Sequence, residues 1–347
     1  MRSILTIYLL AFILVAACRK SAPDDLDYLS PRAVYNRNQF SPVLGRTTQF
    51  LQIFNTDNSS TPISFRILNV RYKKDGQPTT DLDQQVDVLA WKQAYTGEEK
   101  SIAEIESKRT LEKHPAWEIR PESGDFILWA EANATAMRYQ PDSGYLFDVE
   151  ASNTGGKNTY KNLSLMPLRE QPYAPYEYDP VTGLHRATYP EPGDSSIFVL
   201  QYNHPGVYGI VDDGTGLGLK SDSVRVHFHK KGEGNSLTFK FMDKDSLPMN
   251  PTLFNLTPWD SLLHGFDKVM MKDAVSYQVA YPVPLIRYKT RYTNGDGSQA
   301  YVKFSFTRLG FGNIREIGVV DLYFNIYQKG DWEIIFYFRN NPRFRDE

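Results

Sequence analysis

The one thiol in the chain, Cys18, follows Val15-Ala16-Ala17 and closes an apolar run over residues 4–15, with a single basic residue, Arg2, ahead of it. A cysteine after two small residues at the end of such a run either happens to close a simple secretory signal or is acylated; the pattern resembles a bacterial lipobox, in which the lipidated cysteine becomes the new N-terminus. The run is too short to span a bilayer as a helix, so residues 1–17 read as a cleaved signal peptide. Each buried CH₂ of an acyl chain contributes about 0.8 kcal/mol; one chain holds marginally and two or more hold firmly. Cys18 therefore predicts a lipid-anchored envelope protein, and the acidic Asp24, Asp25 and Asp27 behind it read either as a surface-export signal or as solvated linker charge.

The other residue groups able to do chemistry fall short of a site. His227-x-His229 sets two imidazoles on one strand face at a metal-ligand spacing, but Val224, Val226 and Phe228 claim the inward face, and the pair is left beside Arg225 with no fixed third ligand. Gly214-Thr215-Gly216-Leu217-Gly218 has the glycines of a phosphate loop without its Lys-Ser/Thr, which makes it a turn. No Gly-x-Ser-x-Gly nucleophile elbow occurs. Asn294-x-Asp296-Gly297 resembles part of a calcium loop, yet Tyr292 stands where the first carboxylate belongs, so it reads as a hairpin turn. Three Asp-Ser-aliphatic triplets, beginning at Asp222, Asp245 and Asp260, match the O-glycan acceptor pattern of Bacteroidota envelope proteins, at a level chance also supplies. Carboxylates are plentiful but scattered, and the sequence pairs no two of them as glycoside hydrolysis requires. No catalytic residue, metal or cofactor is assigned.

The elements that carry these residues are strands. Aromatic residues make up 14% of the chain, with 22 Tyr and 20 Phe, a composition that favours sheets. Removing the signal peptide takes Arg2 away and leaves the balance slightly acidic, with no basic stripe of the kind a nucleic-acid protein carries. Without a second cysteine there is no disulfide framework, and the length exceeds one comfortable core, so two domains are expected. Residues 18–46, polar and with Pro23, Pro31 and Pro42, read as a lipidated tether.

Residues 47–167 read as an immunoglobulin-like β-sandwich with one inserted helix. Strands are predicted over residues 49–55, 63–72, 117–120, 126–130, 145–152 and 160–166, with a bulge near Leu68 to keep both apolar sets buried and a turn at Asn153-Thr154-Gly155-Gly156. The helix begins at a capping box, Thr96-Gly97-Glu98-Glu99, carries a Glu104–Lys108 pair, and stops at His114-Pro115. Residues 168–194, rich in proline and tyrosine with no apolar period, read as a polyproline-like linker and domain boundary. Residues 195–347 read as a second, β-sandwich-like domain, an antiparallel sheet with short helices, one of them capped at Thr257-Pro258, and the fold class is mainly β. Val320, Leu322, Phe324 and Ile326 must share a face with Trp332, Ile334, Phe336 and Phe338. A three-residue hairpin loop, Gln328-Lys329-Gly330 with Gly330 left-handed, achieves that.

A likeness runs through the whole mature chain. Asp27-Tyr28-Leu29-Ser30-Pro31, Leu44-Gly45-Arg46-Thr47-Thr48, Tyr95-Thr96-Gly97, Trp259-Asp260 with His264-Gly265-Phe266, Tyr281-Pro282-Val283-Pro284-Leu285, Leu309-Gly310-Phe311-Gly312 and Lys329-Gly330-Asp331-Trp332-Glu333 together resemble a Bacteroidota lipoprotein family built on a domain of unknown function. The resemblance transfers no catalytic residues. It implies an outer-membrane, surface-exposed location in the cell envelope and the company of TonB-dependent receptors and SusD-like partners in nutrient capture.

Two function classes follow. One is a surface lipoprotein that binds glycan or assists an importer; the other is an envelope enzyme that processes glycan. Convergent buried carboxylates would mark the enzyme and an aromatic face would mark the binder. In a sheet of residues 286–292, 299–307, 319–327 and 332–339, even positions are apolar and odd positions lie opposite. That odd face carries Arg287, Lys289, Arg291, Lys303 and Arg339 between Tyr301, Tyr323, Tyr327 and Tyr337. Tyrosine offers an apolar ring and a hydroxyl together, as sugar binding wants, so these residues read either as a platform for a glycan or a protein partner or as a half-covered sheet face packed under a helix or the Pro/Tyr-rich linker.

Overall fold

The computed structural model describes residues 27–188 and 198–347; Cys18 and the lipobox lie outside them. The fold is mainly β and β-sandwich-like, with two large hydrophobic cores, one built from Leu29 to Leu165 and the other from Tyr173 to Phe338.

In the first unit a four-stranded sheet runs in the order Gln39–Phe40, Gly156–Leu165, Tyr145–Asn153, Ser64–Tyr72, and a three-stranded sheet in the order Thr48–Phe50, Phe126–Leu128, Trp117–Ile119. Aromatic rings fill the space between: Trp117 stacks on Phe126 at 5.0 Å, and Phe126 meets Phe147 of the other sheet at 5.4 Å. The expected bulge is present. Leu146 pairs with Arg71 but Asp148 with Leu68, and Asn69 between them takes a φ of 53°. A second shift faces it on the other edge of the same strand, at Asn162 with φ 61°. The buried Asp148 carboxylate stitches both, accepting from Asn69 Nδ2, Arg71 Nη2 and the Asn162 amide.

The hairpin turn also stands as read, with Asn153 opposite Gly156. The Asn153 side chain accepts from the Gly155 amide, and Gly155 has no room for a side chain because a Cβ would lie 2.1 Å from Asp27 O. Residues 27–46 are packed rather than free: Leu29, Tyr35, Phe40 and Leu44 are buried in the first core.

The helix is shorter than its pattern predicts, spanning Ile102–Ser107 with Ser101 as its N-cap. Thr96 and Glu99 form a separate turn ahead of it, in which the Glu99 carboxylate accepts from the Thr96 and Gly97 amides. Lys108 turns back to Glu99 instead of pairing with Glu104. From Arg109 the chain leaves the helix and pairs as Arg109–Pro115 with Gln85–Trp91, because the long antiparallel ladder satisfies more backbone groups than another helical turn would.

The second unit is β-sandwich-like as read, but the strands expected in one sheet over residues 286–339 are divided between two. Its front sheet has Arg315–Ile326 in the middle, with Ala300–Leu309 on one edge and Gly206–Tyr208 and Tyr173–Ala174 on the other. Its back sheet runs Val224–Gly232, Asp331–Phe338, Ser236–Met242, Ala274–Gln278, Phe266–Met270. The strands on either side of residues 327–330 thus belong to different sheets. Their even positions face each other across the core: Phe304 touches Phe336 at 5.3 Å and Phe241 at 4.9 Å. Residues 327–330 arch between sheets, and Gly330 is not left-handed. Glycine is required there for space, since a Cβ would sit 2.4 Å from Lys230 Cε and 2.8 Å from Gly232 O.

Three smaller differences concern single elements. Residues 286–292 form no strand and fold as loop. Thr257 does not cap the short helix Trp259–Ser261; its hydroxyl accepts from the Ser305 amide. Strands Val224–Gly232 and Ser236–Met242 are not neighbours, because Asp331–Phe338 lies between them.

The paired strands Gln85–Trp91 and Arg109–Pro115 and the helix between them form an arm that joins the units. Tyr95, Ile105 and Ala280 make a third apolar cluster, with Trp91, Ile102, Phe266, Leu285 and Ile286 packed on it. Arg109 lies over the Trp91 ring and donates to Tyr281 O. His264 stacks on Tyr292 and donates from Nε2 to Glu99 O, so its Nδ1 accepts from the Tyr95 hydroxyl. The cavity left at this seam is about 30 Å³, room for one water and too little for an organic ligand.

Candidate functional site

An open cleft lies where the stretch read as a linker meets the back sheet. Tyr173 is held on the second core, its ring stacked on Phe228 at 4.5 Å, and its strand pairs with Ile326 and Asn325. Beyond it the chain doubles back through a tight turn, with Tyr178 opposite His185. Asp179 fixes that turn: its Oδ1 accepts from the Val181 and Thr182 amides and the Thr182 hydroxyl. The same turn recurs at Asp212, Gly214 and Thr215, which is what the glycine-rich stretch 214–218 proves to be. The returning chain bridges Asn203 to Val226 on the free edge of strand Val224–Gly232, and Asn203 Nδ2 donates to Pro175 O.

This path lays rings side by side. Tyr173–Tyr176, Tyr176–Tyr178, Tyr178–His185, His185–Tyr202, Tyr202–His227 and His227–Tyr337 are in contact at 5.0, 5.2, 5.1, 5.6, 6.0 and 5.1 Å. The row starts in the core and runs onto the outer face of the back sheet. The Arg225 guanidinium lies 3.9 Å from the centre of the Tyr202 ring, a cation–π contact that holds the ring in place.

Beside the row is a cleft of about 320 Å³, lined by Gln171, Tyr176, Glu177, Arg186, Gln201 and Tyr202. Its walls combine aromatic faces with planar amide, carboxylate and guanidinium groups. Such walls can contact apolar faces and hydrogen-bond to hydroxyls. Glu177 is buried and accepts from the Tyr173 hydroxyl at 2.8 Å; burial first, and then the Glu177 charge, push the Tyr173 phenol far above its ordinary range. Tyr173 is therefore a donor at every physiological pH. Among the described lining residues Glu177 is the single carboxylate, and a hydrolytic pair needs two. His227 is pushed below the usual histidine range, chiefly by burial and then by His229, Arg225 and His185, so it is neutral at pH 7.

The residues expected to form one platform are divided. Tyr301 and Tyr323 do stack, at 4.6 Å, on the outer face of the front sheet, with Tyr301 donating to Asp321 and the exposed Lys303 on the same face. Tyr337 lies on the opposite side of the sandwich with His227. Tyr327 sits at the junction of the units, its ring under Arg46 and its hydroxyl accepting from that guanidinium. Arg287 is paired with Asp296 in the loop, and Arg291 lies over Tyr292 near Glu98. His227 and His229 point outward with ring centres 6.2 Å apart, and among the described residues no three His, Cys, Asp or Glu side chains converge as a metal site.

Tyr176, Tyr178, His185 and Tyr202 are the residues that sequence reasoning missed. Their signal was present in two forms: tyrosines dense enough to need burial or a ligand, and an Asp-x-x-Thr-Gly-Leu turn written twice, at Asp179 and Asp212. Among the described residues no helix is long and apolar enough to cross a membrane. No curated protein and no solved structure matches the chain. A family model does match, over residues 54–346, and by it the chain belongs to the family described as Domain of unknown function (DUF5007).

Proposed function

We propose that this is an envelope lipoprotein, anchored through Cys18 at the outer membrane, that binds glycan in the cleft beside the aromatic row as a non-catalytic component of an uptake system. The observation that carries the reading is the row itself. Six ring contacts run from the core to an open sheet face and border a polar cleft of about 320 Å³. The rings meet tilted or edge to face and give apolar contacts for the C–H groups of sugars, while Gln171, Gln201 and Arg186 supply hydrogen bonds to hydroxyls. A TonB-dependent receptor or a SusD-like protein is the partner this reading expects; it rests on the resemblance of the chain, not on a surface.

Glycan-array binding tests the cleft. Tyr202→Ala removes a ring of the row that lines the cleft and is expected to weaken binding about tenfold, the effect of losing an aromatic anchor worth about 1.4 kcal/mol. Tyr323→Ala, on the opposite face of the sandwich, should leave binding unchanged. The reverse pattern would move the site to the front sheet and sink the cleft. The anchor is tested separately: Cys18→Ser should abolish fatty-acid labelling and release the protein from the membrane fraction, and labelling that persists in this variant refutes the lipobox.

A further inference from the structure

One charge in the lining of the cleft has no answer within the chain. Glu177 is 8% exposed, and its Oε2 accepts from the Tyr173 hydroxyl at 2.8 Å. That phenol is a neutral donor, fixed on the core by its stack with Phe228, so it holds the carboxylate in place without compensating it. No cation among the described residues pairs with Glu177, and its other oxygen is neither bonded to them nor sealed from water. The one cation of the lining, Arg186, is balanced elsewhere: the Asp179 carboxyl is held below its usual range first by the Thr182 and Val181 amides and also by the Arg186 charge. A negative point is therefore left in a cleft that the rings of Tyr176 and Tyr202 also line.

Resting on the glycan reading above, we propose that the glycan taken by this cleft carries free amines, a polymer of unacetylated hexosamine whose C–H groups lie against Tyr176 and Tyr202 while an ammonium meets Glu177. An ammonium brings three donors and no acceptor, and a carboxylate is the acceptor it pairs with most strongly. The amide oxygens of Gln171 and Gln201, in the same lining, can take its remaining donors. A buried carboxylate gains more from such a partner than an exposed one, because little water competes and Tyr173 has already fixed its position. A neutral hydroxyl would bond to Glu177 and leave its charge uncompensated.

Calorimetric titration of the full mature chain with glucosamine and galactosamine hexamers tests this, each set beside its fully N-acetylated neutral twin, with hexalysine as a polycation that has no sugar rings. At least one amine hexamer should bind at least tenfold tighter than its twin, with affinity falling as salt rises. In Glu177→Gln, which still gives Tyr173 an acceptor, the ratio of the two affinities should shrink by roughly fivefold or more. In Arg186→Gln, which removes a like charge, that ratio should hold or grow. Equal binding of amine and twin by the parent chain, a ratio that survives Glu177→Gln or collapses in Arg186→Gln, or tighter binding of hexalysine overturns the amino-sugar assignment and leaves the glycan reading standing. No binding of any sugar hexamer, together with a blank glycan array, overturns both.

Discussion

Replacing Glu99 with alanine is expected to destabilise the protein by about 3–5 kcal/mol, the cost of breaking a buried ion pair from one side. The Glu99 side chain is fully buried, and its carboxylate meets the Lys108 ammonium, the Thr96 amide at 2.9 Å and the Gly97 amide at 2.9 Å. Without it, Lys108 stays largely covered with no counter-charge and two backbone donors lose their acceptor. The pH dependence follows from the same contacts. Burial by itself would raise the Glu99 carboxyl, but the bonds from Lys108 and from the Thr96 and Glu99 amides outweigh it and hold the group at about 2. A depressed carboxyl contributes stability that is fully present above the unfolded value of 4.5 and is lost as pH falls through about 2. Denaturant melts at pH 7 and pH 3 should therefore converge for Glu99→Ala relative to the parent. A melting temperature lowered by less than a degree or two at pH 7 would mean that the pair contributes nothing.

Phe304→Ala should cost a comparable amount, about 3–5 kcal/mol, through a cavity at the centre of the second sandwich. Phe304 is fully buried and touches Phe239, Phe241, Phe336 and Trp259, all outside its own sheet. The informative comparison is a double-mutant cycle with Phe336→Ala. Two rings 5.3 Å apart across a shared core should couple by about 0.5–3 kcal/mol, since the second truncation enlarges a cavity already made. Additive losses would contradict face-to-face packing of these two strands and would restore the single-sheet arrangement.

That contrast marks what the sequence could and could not tell. A period of two identifies which side chains point at a core, and Val320 to Ile326 and Trp332 to Phe338 are indeed buried. The period is silent on whether two successive strands pair edge to edge or face each other, because both arrangements bury the same residues. Residue by residue, the apolar set was therefore legible while the platform on its back was not, and Tyr337 parted from Tyr301 and Tyr323 for this reason alone. Local devices were read more faithfully: the bulge at Asn69 and the turn opposite Gly156 depend on neighbouring residues only. Where local signals competed, the longer ladder won, as at Arg109, whose strand ended a helix that the charge pattern favoured. The cleft escaped notice because Tyr176 and Tyr178 have no period; what positions them is Asn203 and Tyr173, whose partners lie far away in sequence.

The docking of Asp27 against Gly155 has a mechanical consequence for the proposed anchor. Between Cys18 and the point where the chain joins the first sandwich there are nine residue steps, which even fully stretched reach only about 30 Å. The attachment behaves as a short mooring line made fast at one extremity, the hairpin end at Thr154. That extremity must ride close to the bilayer whatever the rest does. The strands Tyr145–Asn153 and Gly156–Leu165 then act as a spar, standing the junction and its cleft off by the length of a strand of nine or ten residues, again about 30 Å. With the arm bracing the second sandwich against the first, the cleft would sweep a shell around the mooring point instead of lying flat on the lipid.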